Sequence, residues 1–178
     1  MQEAPGELEL VRSFVNTLDL ETGADELGDA EALRRWLVGR RLLEPGTRVA
    51  SVTVRRTAVV REALRSLLRA NAGEWLDPDA VATLEAALRW GGLAVVFDER
   101  GRIAVEPARP GVGGAVGRLL AIVAGSMAEG SWDRLKACSA ADCGWAFYDR
   151  TRNRSGRWCS MAVCGNRAKV RAHRARLR

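Results

Sequence analysis

Four cysteines near the end of the sequence carry its strongest chemical signal. Cys138, Cys143, Cys159 and Cys164 have the spacing C-x4-C-x15-C-x4-C, and the chain has no others. In a reducing cytoplasm, two cysteine pairs in a short basic segment are typical of a zinc site. Disulfides in a secreted chain, an iron–sulfur cluster, a redox pair or unconnected core cysteines are the alternatives.

A site with four thiolates would hold Zn²⁺ for structure rather than for catalysis. Four sulfur ligands saturate a tetrahedral ion and leave no position for water or substrate. His173, the only histidine, is expected to be solvated or to face phosphate, because it lies nine residues after Cys164. The run Gly111-Val112-Gly113-Gly114 lacks the predicted strand-to-helix context of a phosphate-binding loop. We therefore predict that the protein is not an enzyme.

Positive charge is concentrated around the cysteines. Residues 132–178 hold 12 Lys and Arg against 3 Asp and Glu, whereas residues 1–131 hold 16 against 19. Of the 28 basic residues 26 are Arg, a preference that a GC-rich genome would explain, but such a genome would not cluster them. A basic end on a mildly acidic body indicates a module that binds a polyanion.

The basic residues fall in a polar turn and in the last predicted helix. In that helix Arg167, Arg171, Arg174 and Arg178 recur at a spacing that places them on one face. A solvated charged face is the alternative to a surface that contacts phosphate, and Asn166 could brace the zinc turn instead of reading an adenine edge. The predicted nucleic-acid contacts are Arg150, Arg152, Arg154, Arg157, Asn166, Arg167, Lys169, Arg171, Arg174 and Arg178.

Apolar periodicity predicts a fold that is mainly α with a small β-hairpin, an α+β fold. Helices are predicted over 7–18, 29–42, 49–72, 77–91 and 116–128, with a hairpin over 93–105. After residue 131 the predicted order is a cysteine turn, a hairpin with one strand over 145–148, a second cysteine turn and a basic helix. We therefore expect a helical N-terminal domain over 1–130 and a treble-clef-like, four-cysteine zinc module over 131–178.

Five of the tryptophans are assigned to two apolar cores. Trp36, Trp75 and Trp90 lie in or beside predicted helices and are expected in the core or a groove of the body. Trp145 and Trp158 flank the middle cysteines and are expected to form the small core of the zinc module, since so short a module has little other apolar mass. Stacking on nucleic-acid bases is the alternative for this second pair.

The sequence resembles a known pair of families. Cys164-Gly165-Asn166-Arg167 resembles the tetrapeptide that names the CGNR zinc finger, and the Cys138–Phe147 and Ala168–Arg171 segments are similar to the rest of that finger. Phe14–Leu18, Leu33–Leu37 and Arg61–Leu64 are similar to the ABATE domain, which usually precedes it. The resemblance implies a bacterial, stress-induced transcriptional regulator.

We therefore predict a zinc-dependent DNA-binding protein that regulates transcription. Its N-terminal domain would sense a small-molecule effector or form a homodimer. The alternatives are an RNA-binding or ribosome-associated protein, or a protein–protein adaptor in which zinc only stabilises the fold. We expect a cytoplasmic protein without a membrane partner, because the N-terminus lacks a secretory signal and the longest apolar run, Leu119 to Ala128, is about half of a membrane span.

Overall fold

The computed structural model describes residues 3–176, which form helices and two small antiparallel sheets. The first sheet pairs β1 with β2 and the second pairs β3 with β4. Within the described range the elements are α1 (Leu8–Val15), α2 (Ala30–Gly39), α3 (Ser51–Asn71), α4 (Pro78–Gly91), β1 (Leu93–Phe97), β2 (Ile103–Pro107), α5 (Gly111–Ala128), β3 (Leu135–Ala137), β4 (Ala146–Tyr148) and α6 (Asn166–Arg176). The predicted fold class is confirmed.

Local signals set several helix ends. The Asp29 carboxylate accepts a hydrogen bond from the backbone N–H of Ala32 and starts α2. Asp77 caps α4 in the same way, with Pro78 at the first helical position. Gly92 ends α4 in the left-handed conformation, with a φ of 62°. Acidic caps and a final glycine satisfy backbone groups that have no partner inside the helix.

Helix α5 begins at Gly111, five residues before the predicted start at Val116. The sequence prediction was wrong here because a run rich in glycine and proline was assigned to a connection. Close packing against α4 outweighs the low helix propensity of glycine: a Cβ on Gly91 would lie only 2.6 Å from the Cα of Gly117. The run Gly111–Gly114 therefore follows β2 and opens α5. This is the strand-to-helix context that the sequence analysis did not predict for it.

Helix α5 is also the one helix in residues 3–176 that is long and apolar enough to cross a bilayer. Most of its residues are buried inside the protein, where it packs against α1, α4 and β2. Length and composition are weak signals, because the central helix of a globular core passes the same test.

The zinc module is built on a different hairpin from the predicted one. Strand β4 pairs with β3, which precedes the first cysteine, so that this hairpin encloses Cys138 and Cys143. Residues 149–156 were expected as the turn of the hairpin, with Arg157 and Trp158 leading back to Cys159, but no strand follows this turn. Leu135 and Ala137 are fully buried; their burial favours β3 as the partner.

The module and the helical body share one hydrophobic core. Trp132, Leu135, Ala137 and Ala146 belong to the same buried cluster as the helices, and β3 packs directly against α3. The division at residue 130 stays a prediction, but a fragment ending there would expose the apolar face of α3 that β3 covers.

The tryptophans follow the predicted assignment. Trp36 is buried and Trp90 packs partly against the body core, while Trp145 and Trp158 pack around the cysteines as expected. Trp75 lies outside the core, with 78% of its surface exposed beyond the end of α3, and lines a shallow groove there.

Asn16 continues the second sheet in place of a third strand. Its side-chain N–H donates to the carbonyl of Ala146 over 2.9 Å, and its Oδ1 accepts from the N–H of Ala146 over 2.7 Å. Both groups are buried, so these bonds fix β4 to the end of α1.

We expect Asn16→Ala to lower the free energy of unfolding by about 3 kcal/mol, because it leaves a buried N–H and a buried carbonyl without partners. Urea unfolding followed by circular dichroism would measure the loss. Asn153→Ala, at an exposed asparagine, is the matched control and should change stability by less than about 0.5 kcal/mol. Equal stability of the two variants would contradict this account of Asn16.

Candidate metal centre and basic surface

The four cysteine sulfurs converge on one point. All four Sγ atoms lie within 4.8 Å of one another, and Cys159 Sγ is 3.6 Å from Cys143 Sγ and 3.7 Å from Cys164 Sγ. A tetrahedral Zn²⁺ with bonds of about 2.3 Å places its sulfurs about 3.8 Å apart. A disulfide needs about 2.05 Å, so the donor set fits zinc and not two disulfides.

Two sharp turns deliver the cysteine pairs. In the first turn Gly144 adopts a φ of 56°, a conformation that favours glycine, and a Cβ there would also lie 2.6 Å from Cδ1 of Leu20. In the second, the Ser160 side chain accepts from the N–H of Val163 and starts a π-helical turn (Met161–Gly165), which leads directly into α6.

The thiols are electrostatically coupled. Hydrogen bonds from the Cys143 and Cys159 thiols lower the pKa of Cys138 to about 2. The same contact raises the pKa of Cys143 to about 12, and hydrogen bonding to Cys138 and Cys143 raises the pKa of Cys159. A thiolate at Cys138 thus opposes ionisation of Cys143 and Cys159, because neighbouring negative charges repel. Bound Zn²⁺ would supply the positive charge that lets all four ionise.

Two of the four arginines in the loop after β4, Arg150 and Arg157, border a groove of about 800 Å³ between β4 and the second cysteine turn. The Arg150 guanidinium carbon lies 5.9 Å from the ring centre of Tyr148, and that of Arg157 lies 5.7 Å from the ring centre of Trp158. Arg152 and Arg154 are exposed in the same loop, and Arg154 lies 3.6 Å from a carboxylate oxygen of Asp133.

Helix α6 projects from the second cysteine turn with almost all of its residues exposed. Arg167, Arg171 and Arg174 share one side and line a second, shallower groove, as their spacing predicts. The loop arginines do not line this groove, so the structure presents two adjoining basic surfaces. Arg178 lies outside the described residues.

Acidic side chains of the same chain already occupy part of this helical surface. Arg167 lies 2.9 Å from Glu21 and 3.9 Å from Asp142, and Arg171 lies 3.4 Å from Asp142. Lys169 is exposed. Asn166 donates to the carbonyl of Ala162 over 3.1 Å, a contact that favours bracing of the turn over reading of a base.

Comparison with protein families agrees with this architecture. Residues 8–130 match a family described as "Putative stress-induced transcription regulator", ABATE. The chain belongs to the ABATE family. Residues 134–177 match the CGNR zinc finger, and a search of curated proteins finds no match. The ABATE and CGNR resemblances predicted from the motifs are confirmed, and the two families together indicate a regulatory zinc protein.

The ABATE domain holds the first cysteine turn through a buried arginine that sequence reasoning missed. Arg65 is 3% exposed and donates to the carbonyls of Gly144, Val15 and Leu18 over 2.6, 2.7 and 3.2 Å. Its Nε also donates to the Glu62 carboxylate over 2.9 Å. Its position four residues after Arg61, on the apolar side of α3, was the available signal.

Arg61 fixes the ABATE loop that carries Glu21. The Arg61 guanidinium donates to both carboxylate oxygens of Asp25, over 2.7 and 2.9 Å, and is 2% exposed. Although burial opposes charge on either partner, this hydrogen bonding keeps the pKa of Asp25 below its ordinary value. The ABATE loop is therefore anchored at one end beside α3 and reaches α6 through Glu21.

A buried ion pair shapes the loop of the CGNR finger. Lys136 Nζ lies 2.9 Å from Asp149 Oδ2, and both side chains are nearly inaccessible. Lys136 also donates to the carbonyls of Arg154 and Gly156. Burial raises the pKa of Asp149, but hydrogen bonds from Lys136, Thr151 and Gly156 outweigh it and lower that pKa to about 2. The pair thus folds residues 149–156 around one carboxylate.

We expect one Zn²⁺ per chain, and we expect Cys159→Ser to lose it. Metal binding contributes about 10 kcal/mol or more to folding in small zinc modules, and β3 and β4 share the body core, so the melting temperature of the whole chain should fall. Elemental analysis and thermal unfolding would measure both effects. Val163→Ala, an exposed position in the same turn, should keep its zinc. Full zinc content in Cys159→Ser would contradict the four-thiolate site.

Proposed function

We propose that the protein is a zinc-stabilised DNA-binding regulator of transcription that acts in the cytoplasm. The observation that carries this proposal is a set of exposed basic side chains on the CGNR module with no carboxylate oxygen within 4 Å in residues 3–176. They are Arg150, Arg152, Arg157, Lys169, Arg174 and Arg176. Arginines without a carboxylate partner on a strongly basic module are the electrostatic footprint of a phosphate-binding surface.

Zinc contributes to this function by positioning the two basic surfaces. The second cysteine turn leads into α6 on one side and is preceded by the arginine loop on the other. With the four sulfurs fixed on one ion, the loop and the helix keep a constant separation. Positive groups held in place lose less conformational entropy when they bind a regular polyanion.

The arginines of the module do not contribute equally. Arg150 and Arg152 have no acidic neighbour, whereas Arg167 and Arg171 face Asp142 and Glu21. A phosphate that binds Arg167 or Arg171 must replace an existing ion pair, so it gains less. We infer that the loop arginines supply most of the phosphate contacts and that α6 adds Arg174 and Lys169.

The ABATE domain would supply regulation, by sensing an effector or by forming a homodimer. One small finger contacts a short site, and a two-fold dimer would present two copies to paired half-sites.

Binding of RNA is the second candidate function. The observation that favours it is the groove in which Tyr148 and Trp158 lie beside Arg150 and Arg157. Aromatic rings next to arginines can stack on unpaired bases. If the protein binds neither DNA nor RNA, the remaining alternative is a protein–protein adaptor.

We expect tighter binding to duplex DNA than to single-stranded RNA of equal length, and a loss of affinity in Arg150→Ala/Arg152→Ala. If both arginines contact phosphate, the slope of log K against log salt should decrease by about 2, since each contact contributes about 0.9. Fluorescence anisotropy at several salt concentrations would measure the slope.

Arg55→Ala/Arg89→Ala is the matched control, because both arginines are exposed on the body and the change in net charge is the same. An identical salt slope in both double variants would mean that Arg150 and Arg152 are solvated and do not contact phosphate. Tighter binding to RNA would move the second candidate ahead.

We expect Asp142→Asn to tighten binding to duplex DNA. The change removes the carboxylate that lies 3.4 Å from Arg171 and 3.9 Å from Arg167, so the salt slope should increase by about 1 to 2. Glu99→Gln removes one negative charge from an exposed turn in the body and should have a much smaller effect. Unchanged affinity of Asp142→Asn for duplex DNA would show that α6 does not contact the phosphates.

A further inference from the structure

A cavity of about 780 Å³ lies in the ABATE domain, where α1 and α5 begin and α2 ends. Its volume is within the range of small-molecule sites. Four arginines from three segments of the chain border it, and none of them belongs to the zinc module. They are Arg40, Arg41, Arg109 and Arg118.

Packing against the protein fixes two of these arginines in place. The Arg40 guanidinium carbon lies 5.0 Å from the ring centre of Trp36. The stem of Arg109 crosses Gly92 so closely that a Cβ at position 92 would lie 2.7 Å from its Cγ. Side chains held in this way lose little entropy when a ligand binds.

The charges around the cavity do not balance. Two carboxylates border it, and Glu7 is already paired with Arg118. In the described part of the chain, Arg40, Arg41 and Arg109 have neither a carboxylate within 4 Å nor a side-chain hydrogen bond. Three arginines without a carboxylate partner within 4 Å and one unpaired carboxylate, Glu44, therefore border the cavity, an excess of about two positive charges among its lining residues.

Most of the remaining lining is apolar. Leu10, Leu43, Pro107 and Ala115 form walls between the charged groups. An anion with an organic body would cover these walls, whereas an inorganic anion would leave them in contact with water.

We propose that this cavity binds a small organic phosphate monoester, which is the effector of the ABATE domain. A phosphate monoester carries about two negative charges near pH 7 and offers three acceptor oxygens. Planar guanidinium groups donate to such oxygens in pairs. The proposal deepens the regulatory function proposed above, because the ligand is an effector only if that function holds. Binding of the ligand to the cavity does not itself require DNA.

The test uses full-length, zinc-loaded protein without DNA, with phenyl phosphate as the probe and isothermal titration calorimetry as the readout. We expect one saturable site per chain. Inorganic phosphate should bind at least tenfold more weakly because it lacks the organic body, and phenol should not bind because it lacks the charge.

Arg41→Gln/Arg109→Gln should weaken the binding of phenyl phosphate at least tenfold, since it removes two charges but keeps most of both stems. Arg55→Gln/Arg89→Gln is the matched control and should bind as wild type does. Thermal unfolding of each free variant would verify that it is folded.

No binding of phenyl phosphate, or equal binding by the two double variants, would overturn the proposal. Equal affinity for inorganic and phenyl phosphate would overturn its organic part. Because the titration contains no nucleic acid, these outcomes are separate from failure of the loop arginines to bind DNA.

Discussion

The position of the zinc centre depends on one buried guanidinium group. Arg65 leaves water almost completely, and a charge in that environment is stable only if its N–H groups are satisfied. Four oxygens do this, and they come from the end of α1, the following loop, α3 and the first cysteine turn. Any movement of the cysteine turn away from the body would leave that buried charge under-coordinated. The ABATE domain therefore determines where the finger lies, through hydrogen bonds to its backbone.

Zinc and the body core stabilise different halves of the same module. The second cysteine turn and α6 have few contacts outside the module, so the metal is their main constraint. The first turn is held by the metal, by Arg65 and by the burial of Leu135 and Ala146. Loss of the metal would thus release the second cysteine turn and α6 first, while β3, β4 and the loop around Asp149 keep part of their contacts.

The parts that the sequence predicted well are those with local causes. Cysteine spacing, acidic helix caps and the 3.6-residue period each act over a few residues. The pairing of β3 with β4 and the early start of α5 depend on burial against α3 and α4, which no local pattern contains. The same holds for Arg65, whose acceptor at Gly144 lies 79 residues away, and for Lys136, whose burial with Asp149 reverses the usual expectation for a lysine. The choice between core and groove for Trp75 likewise depends on what packs beyond the end of α3, which its place beside a helix does not specify.

The Arg61–Asp25 pair has a consequence for the effective charge of the finger. Because this pair anchors the loop that carries Glu21, the side chain that neutralises Arg167 comes from a segment 146 residues earlier in the chain. The charge that α6 presents to solvent is thus set by the conformation of an N-terminal loop as well as by its own sequence. A shift of that loop by a few ångströms would change the net charge that α6 presents to solvent by one unit, with no change in the fold of the finger.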